Sequence, residues 1–282
     1  MKYGMNTLIF TGSFRDEHAE LFPRLKKIGF DGVEIAPENK GDFDTLKMRK
    51  ALESNGLVCS SICGLYGPGR DLRSSDPNDR KGGVQYTKDC IDMASELGAK
   101  FMVGPIYSSV GRAGLETEEA RKEQWGYALD GFKEVAEHAE KKDVYLGIEP
   151  LNRFETDFIN IAEDALRMCN DVGSSHLGLH LDTFHMNIEE KDSGKAIRTA
   201  GDKLFLLHAS ENDRGAPGTG QVPWQKVRDA VKEIGFDGWV VIESFTPDVE
   251  MIARAAAIWR QTEKDADTLA SKGLSFLRQL FG

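Results

Sequence analysis

The stretch LGLHLDTFHMNIEE, residues 177–190, begins as an apolar run and ends in polar side chains. The run LGLHL has the length and composition of a buried strand. Asp182 and His185 follow it, and further acidic residues come after them. One aspartate at the end of a strand is most often a turn former or the N-cap of the next helix, because its carboxylate accepts free backbone N–H groups. A functional role becomes plausible only if other strands end in the same way.

Seven further apolar runs are similar to this strand, and amphipathic segments separate them. The runs are YGMNTLIF, GVEIAP, LVCSSICGL, KFMVGPIY, VYLGIEP, LFLLHAS and WVVIESF. Segments between them, such as EHAELFPRLKKIGF and WQKVRDAVKEIGF, repeat apolar residues at three and four positions, as helices do. Such alternation predicts parallel strands, in either an open doubly wound sheet or a closed barrel. A length of 282 residues favours an α/β fold of the (β/α)8 TIM barrel type, as a single domain over residues 1–282.

A weak internal repeat supports the barrel. KKIGFDGVEI starts at Lys26 and VKEIGFDGWVVIE starts at Val231, and each predicts a helix end, a glycine-bearing turn and a strand start. Favourable turn chemistry alone also explains the shared IGFDG. The longest turn-rich stretch, GLYGPGRDLRSSDPNDRKGG from Gly64, predicts a loop that could cover the barrel mouth as a lid.

Charge and composition limit the possible partners. The chain has 36 Lys and Arg against 46 Asp and Glu, so its formal charge of −10 repels phosphate backbones and anionic membranes. We therefore expect no nucleic-acid or membrane partner. The first residues lack the pattern of a secretory signal and no run has transmembrane length, so we expect a cytoplasmic location. The four cysteines lack the spacing of a disulfide framework or a zinc site, which predicts buried free thiols.

Four successive strands of the second half end in a side chain that can bind a metal. Glu149 follows VYLGI, Asp182 follows LGLHL, His208 follows LFLL and Glu243 follows WVVI. The C-terminal strand ends of a parallel barrel meet at one face, so these side chains are expected to converge. Three carboxylates this close require a compensating positive charge. Oxygen ligands with one imidazole and no thiolate favour Mn²⁺, Co²⁺ or Mg²⁺.

Other polar residues near these strand ends could bind a ligand rich in hydroxyl groups, and each also has a simpler explanation. Glu155 could instead pair with Arg153, and His185 could bond to backbone at a helix start. Arg214 could pair with an acidic residue of its own solvated loop. Glu34, which ends the second strand, could reach the pocket or pair with a neighbouring helix, and we expect the second.

The segments EPLNRFE, LDTFHMNIEE, HASENDR, PGTGQVPW and IESF together resemble the ketose 3-epimerases, that is, the D-tagatose and D-psicose (allulose) 3-epimerases. That family belongs to the xylose-isomerase-like TIM barrels. The resemblance covers nearly the whole chain and is strongest over residues 144–260. It implies a homodimer or homotetramer, and a divalent metal, with Mn²⁺ as the first expectation. The implied ligands are Glu149, Asp182, His208 and Glu243, and the implied substrate-binding residues are Glu155, His185 and Arg214.

The resemblance also implies a reaction, the epimerisation of a free ketose of the D-tagatose, D-fructose, D-psicose or L-ribulose type at C3. A proton beside a ketone leaves more readily when a cation stabilises the enediolate that forms. Inversion at C3 requires one base on each face of the sugar. Glu149 and Glu243, at the ends of different strands, suit these two catalytic roles.

Three other functions remain open at this point. An aldose–ketose isomerase of the hydroxypyruvate or rhamnose type would use the same metal site with only one essential glutamate. A metal-dependent DNA-repair endonuclease of the same superfamily would need several histidine ligands and a basic groove, and the negative charge disfavours it. A non-catalytic sugar-binding protein would need no acids on both faces of its ligand.

Overall fold

Eight short strands pair in sequence order, and β1 pairs with β8 to close the sheet into a parallel barrel. The computed structural model describes all residues, 1–282. The predicted TIM barrel is confirmed, and the open doubly wound sheet is excluded because no strand of the barrel has a free edge. The strands are β1 (Lys2–Asn6), β2 (Gly32–Ile35), β3 (Val58–Cys63), β4 (Phe101–Gly104), β5 (Tyr145–Ile148), β6 (Leu177–Asp182), β7 (Leu204–Ala209) and β8 (Trp239–Ile242).

Helices follow the strands and cover the outside of the barrel. Most of them begin at a side chain that accepts a backbone N–H, as Asp44 and Thr117 do. None of them is both long and apolar enough to cross a membrane. The helices are α1 (Leu21–Ile28), α2 (Thr45–Ser54), α3 (Pro77–Leu97), α4 (Glu118–Lys142), α5 (Ala162–Val172), α6 (Thr183–Glu189), α7 (Ser193–Ala200), α8 (Trp224–Glu233), α9 (Glu250–Ala255) and α10 (Ala266–Phe281).

Both copies of the IGFDG repeat form the predicted turn. Helix α1 ends before Gly29, which has a φ of 118°, and β2 starts three residues later. Helix α8 ends before the turn of Gly235, with a φ of 67°, and β8 follows. Glycine suits both positions because other residues are strained at positive φ. The repeat therefore marks two equivalent helix-to-strand connections.

Two predicted segments end earlier than the sequence pattern indicated. The run YGMNTLIF stops being a strand at Asn6, because the Asn6 side chain accepts the backbone N–H of Leu8 at 2.8 Å and a 3₁₀ turn begins. The loop from Gly64 ends at Asp76, whose side chain caps α3, with Pro77 as the first helical residue. The remaining loop, residues 64–76, lies beside the barrel mouth. Its action as a lid stays a prediction.

The interior of the barrel is apolar at one end and polar at the other. Val103, Leu206 and Val241 fill the lower part with fully buried side chains. Each such side chain contributes about 1.5–3 kcal/mol relative to exposure. Near the C-terminal strand ends the interior residues become polar, and a functional site can form there. All four cysteines are buried free thiols, as predicted.

A buried arginine connects three loops at the mouth. Arg73, in the loop after β3, is only 1% exposed. Its guanidinium donates to Ser108 Oγ at 3.0 Å and to the Arg112 carbonyl at 2.7 Å, and it pairs with Asp157 at 2.5 Å. These partners lie in the loops after β4 and β5. The planar guanidinium can satisfy several acceptors at fixed angles, so it joins the loops of this half of the mouth.

We predict that Arg73→Met lowers the free energy of unfolding by about 3 kcal/mol, because it removes a buried guanidinium and leaves the partly buried Asp157 carboxylate without its cation. Urea denaturation measures this change. Arg254→Met is the matched control, because Arg254 pairs with Glu250 on an exposed helix surface and should change stability by about 0.5 kcal/mol or less. Equal losses for the two variants would contradict a structural role for Arg73.

Candidate active site

The four side chains predicted to bind a metal lie together at the mouth of the barrel. Glu149 follows β5, Asp182 ends β6, His208 lies near the end of β7 and Glu243 follows β8. One donor atom from each lies within 4.8 Å of the others, and all four residues are buried. The parallel register produces this convergence, since Asp182 is directly opposite His208 in the sheet.

The donor atoms of this cluster fit a divalent cation. Glu149 Oε1 and His208 Nδ1 are buried and have no hydrogen-bond partner in the protein. Buried polar atoms nearly always have a partner, so two such atoms in one cluster indicate a ligand. Asp182 combines both roles considered for it, because Oδ1 caps α6 by accepting the Phe184 N–H at 2.7 Å while Oδ2 faces the cluster. Three carboxylates and one imidazole form a donor set typical of Mn²⁺, Co²⁺ or Mg²⁺.

Burial and neighbouring charges give the three carboxyl groups of the cluster different pKa values. Burial, followed by repulsion from Glu243, raises the pKa of Glu149 well above its usual range. Burial raises the pKa of Asp182 to about 6, against the opposing effect of Arg214. Burial also acts to raise the pKa of Glu243, but the charges of His208 and Arg214 outweigh it and lower this pKa to about 2. The positive charges of His208 and Arg214 thus offset the negative charge of Glu243 more fully than those of Glu149 and Asp182.

Arg214 directs its guanidinium into this cluster from the loop after β7. Nη1 donates to Asp182 Oδ2 at 2.7 Å and to Glu243 Oε2 at 3.1 Å. Its backbone has a φ of 60°, which is strained for a residue with a side chain. The Ser244 hydroxyl donates to the Arg214 carbonyl and stabilises this conformation. The alternative of a solvated loop arginine is wrong, because Arg214 is buried and Asp213 pairs with Arg260 instead.

His185 presents one ring nitrogen to the same site. Nδ1 accepts the backbone N–H of Asn152 at 3.0 Å, which places the ring proton on Nε2. Nε2 lies 3.3 Å from Arg214 Nη2, 3.8 Å from Glu149 Oε1 and 3.9 Å from Asp182 Oδ2. The predicted backbone contact is therefore made by Nδ1. Nε2 is directed at Arg214 and the carboxylates.

Glu155 does not pair with Arg153, whose guanidinium binds Glu189 at 2.9 Å. The Glu155 carboxylate instead accepts from the Asn152 amide at 2.7 Å. Burial raises its pKa, against the opposing effect of Arg214. Glu155 therefore remains available to a ligand in the adjoining cavity.

A cavity of about 550 Å³ opens above the cluster. Its lining includes every predicted catalytic and substrate-binding residue, namely Glu149, Glu155, His185, Arg214 and Glu243. About half of the lining residues are hydrophobic, among them Leu8, Val110, Phe245, Met251 and Ile252. The loop after β3 lines one side through residues 64–68 and Arg70. The size suits a small molecule, and the polar groups of the lining can fix its orientation.

Two buried residues of the site were missed or misjudged from sequence. Glu34 was expected to pair with a neighbouring helix, and this is wrong, because it lies inside the barrel and contacts His208 at 2.7 Å. His180 lies beneath the cluster with its ring edge-on to His208, and neither of its nitrogens has a hydrogen-bond partner. Its position two residues before Asp182, on the same face of β6, was the available signal.

Comparisons of the sequence with a family profile and with known proteins point to the same family. The profile of the xylose isomerase-like TIM barrel family matches residues 22–280. The chain is 34% identical to a probable ketose 3-epimerase of Synechocystis sp., over 100% of this chain and 97% of that protein. It is 33% identical to a ketose 3-epimerase of Arthrobacter globiformis, over 99% of this chain and 96% of that protein.

A solved structure agrees with these sequence matches. The crystal structure of a D-psicose 3-epimerase with D-tagatose from Clostridium cellulolyticum superimposes with a TM-score of 0.91 at 30% identity. The superposition covers 100% of this chain and 99% of that one. The chain therefore belongs to the xylose isomerase-like TIM barrel family, among its ketose 3-epimerases, and is an enzyme of the isomerase class.

Proposed function

We propose that this enzyme epimerises a free ketose of the D-tagatose, D-fructose, D-psicose or L-ribulose type at C3. The observation that carries the proposal is the pair of buried carboxylates Glu149 and Glu243. They end strands separated by two others, and both line the same cavity. Relatives named ketose 3-epimerase, and a relative solved with D-tagatose, support the same substrate class.

The proposed cation is Mn²⁺, with Co²⁺ or Mg²⁺ as alternatives, and Glu149, Asp182, His208 and Glu243 would bind it. A divalent cation here supplies Lewis acidity, which makes the proton beside the ketone more acidic and stabilises negative charge on the neighbouring oxygens. The two unpartnered donor atoms of the cluster support this assignment. The expected homodimer or homotetramer and the cytoplasmic location stay predictions.

Inversion at C3 requires a proton to leave one face of the sugar and another to arrive at the opposite face. In the proposed reaction one glutamate removes the C3 proton, and a cis-enediolate forms. The other glutamate, which carries a proton from the start, then donates that proton to the opposite face of C3, and exchange with solvent restores the two starting protonation states. The roles of Glu149 and Glu243 exchange when the reaction runs in reverse, because the product has the opposite C3 configuration.

The remaining polar groups would orient the sugar between these two carboxylates. The Nε2–H of His185 and the guanidinium of Arg214 are donors for the oxygens of C1 to C3. Glu155 is an acceptor for a sugar hydroxyl group. The far carbons of the ketose would lie against hydrophobic residues of the cavity lining. A net charge of −10 favours a neutral sugar over a sugar phosphate.

We predict that the Mn²⁺-loaded enzyme in D₂O converts at least one of D-fructose, D-tagatose and L-ribulose to its C3 epimer, with deuterium at C3. Glu149→Gln and Glu243→Gln should each reduce the rate by about 10²–10⁴-fold, because each removes a proton-transfer group. NMR follows both the new sugar and the label. Glu140→Gln, on an exposed surface of α4, is the matched control and should be unaffected.

The same experiment distinguishes the aldose–ketose isomerase. That enzyme would produce aldoses, with exchange at C1 or C2, and would lose activity in only one of the two glutamate variants. Aldose products would therefore replace the epimerase proposal.

We predict that prolonged dialysis against a chelator abolishes epimerisation and that added Mn²⁺ restores it, since the residues of the cluster cannot supply a comparable Lewis acid themselves. Elemental analysis verifies removal of the metal, and a timed sugar assay measures the recovery. Full turnover by protein verified as metal-free would contradict the metal assignment.

We predict that Arg214→Lys lowers kcat/KM by about 10–100-fold. In Arg214 the planar guanidinium lies over the Phe184 ring, 3.8 Å from its centroid, while Nη1 contacts both Asp182 and Glu243. A lysine ammonium cannot stack on the ring in this way and offers weaker orientation to a ketose oxygen. Steady-state kinetics with the best ketose measures the effect. Arg254→Lys, an exposed change of the same kind, should leave kcat/KM unchanged, and an equal loss in both variants would argue against a role for Arg214.

A further inference from the structure

Glu34 is a fully buried carboxylate on the side of the barrel opposite the metal-binding strands. It lies on β2, and it has no lysine or arginine among its hydrogen-bond partners. A carboxylate in such a place is costly unless its oxygens accept hydrogen bonds. Glu34 Oε1 accepts from Asn6 Nδ2 at 2.7 Å, and Glu34 Oε2 accepts from Ser61 Oγ at 2.5 Å.

The third partner of Glu34 is a predicted metal ligand. His208 Nε2 lies 2.7 Å from Glu34 Oε1. An ionised carboxylate only accepts hydrogen bonds, so the ring proton of His208 is on Nε2. When a cation is bound the ring is neutral, and Nδ1 then carries the free electron pair. Nδ1 is the nitrogen that faces the cluster, 3.6 Å from Glu243 Oε2, and it has no hydrogen-bond partner.

We propose that Glu34 is a positioning residue for His208, which fixes the ring orientation and the tautomer that presents Nδ1 to the cation. Glu34 itself binds neither the cation nor the sugar in this assignment. The Glu34 side chain does not line the cavity. Its effect on the reaction is exerted only through His208.

The local backbone explains how Glu34 reaches this position. The pairing of β2 with β3 shifts register between Val33 and Glu34, and such irregularities redirect the following side chain. Asn6 and Ser61 are directly opposite Glu34 on the two neighbouring strands. The Glu34 carboxylate is thus fixed from both sides along the sheet, and it contacts β7 across the barrel.

Asn6 extends this arrangement to a second ligand. Its Oδ1 accepts the Leu8 N–H at 2.8 Å, which assigns the orientation of the amide. Its Nδ2 then donates both to Glu34 Oε1 and, at 3.3 Å, to Glu243 Oε1. The contact leaves Glu243 Oε2 directed at His208 and Arg214.

The test is Mn²⁺ titration of metal-free Glu34→Gln by calorimetry. The substitution keeps the size of the side chain, removes its negative charge and weakens the acceptor for His208 Nε2–H. We expect the dissociation constant for Mn²⁺ to rise about 10–100-fold, as for other outer partners of ligating histidines. The visible absorption of the Co²⁺-loaded variant should also shift, because the geometry of the His208 ligand changes.

Asp71→Asn is the matched control. Asp71 is also a buried acid, but it pairs with Arg112 and contacts none of the four ligands. This variant should lose thermal stability and keep both the Mn²⁺ affinity and the Co²⁺ spectrum of the unsubstituted protein. The comparison separates a general loss of stability from a specific effect on the metal site.

The inference rests on the metal site of the proposed function and not on the identity of the sugar. Unchanged Mn²⁺ affinity and an unchanged Co²⁺ spectrum in Glu34→Gln would overturn it while leaving the metal site intact. Failure of the unsubstituted protein to bind Mn²⁺, Co²⁺ or Mg²⁺ would instead overturn the metal site and this inference with it. If Glu34→Gln does not fold, Ser61→Ala decides, since it removes one donor to Glu34 and should weaken Mn²⁺ binding about threefold or more.

Discussion

Repulsion among buried carboxylates is the constraint on which the rest of the site depends. Glu149, Asp182 and Glu243 are brought together by strand ends that cannot diverge without opening the barrel. In a medium of low dielectric constant such charges repel strongly. Arg214 and His208 compensate part of this charge through direct contacts. Arg214 adopts a strained backbone conformation in the same structure in which its guanidinium enters the cluster.

The two halves of the chain contribute differently to the cavity. Strands β5 to β8 supply the charged cluster, and the first half supplies much of the surrounding wall, including the loop after β3. Arg73 fixes that loop to its neighbours without contacting the cluster. The chemistry and the shape of the site therefore depend on separate sets of interactions. Changes in the loops can alter which small molecule fits the cavity while the charged cluster stays the same.

The sequence predicted the barrel and the convergence of four ligands because both follow from simple periodicity. Parallel strands carry apolar runs, and their C-terminal ends must meet, so the positions of Glu149 and Glu243 required no knowledge of side-chain packing. Glu34 could not be placed in this way. A glutamate at a strand end has the same sequence pattern whether it faces inward or outward, and the register shift beside it is a property of the sheet. His180 lies within an apolar run and was overlooked, although its spacing of two residues from Asp182 placed it on the same face of β6.

The contact between Glu34 and His208 links two strands of the barrel that are not neighbours in the sheet. It joins β2 to β7 across the interior, while Asn6 joins β1 to β8. A cation that binds only the native state stabilises it by RT ln(1 + [L]/Kd), about 2.7 kcal/mol at a hundredfold excess over Kd. The four proposed ligands and the two residues proposed to support them belong to β1, β2 and β5 to β8, so in that assignment this free energy opposes the opening of most of the barrel at once. Amide hydrogens on opposite sides of the sheet should consequently exchange with solvent as one cooperative unit.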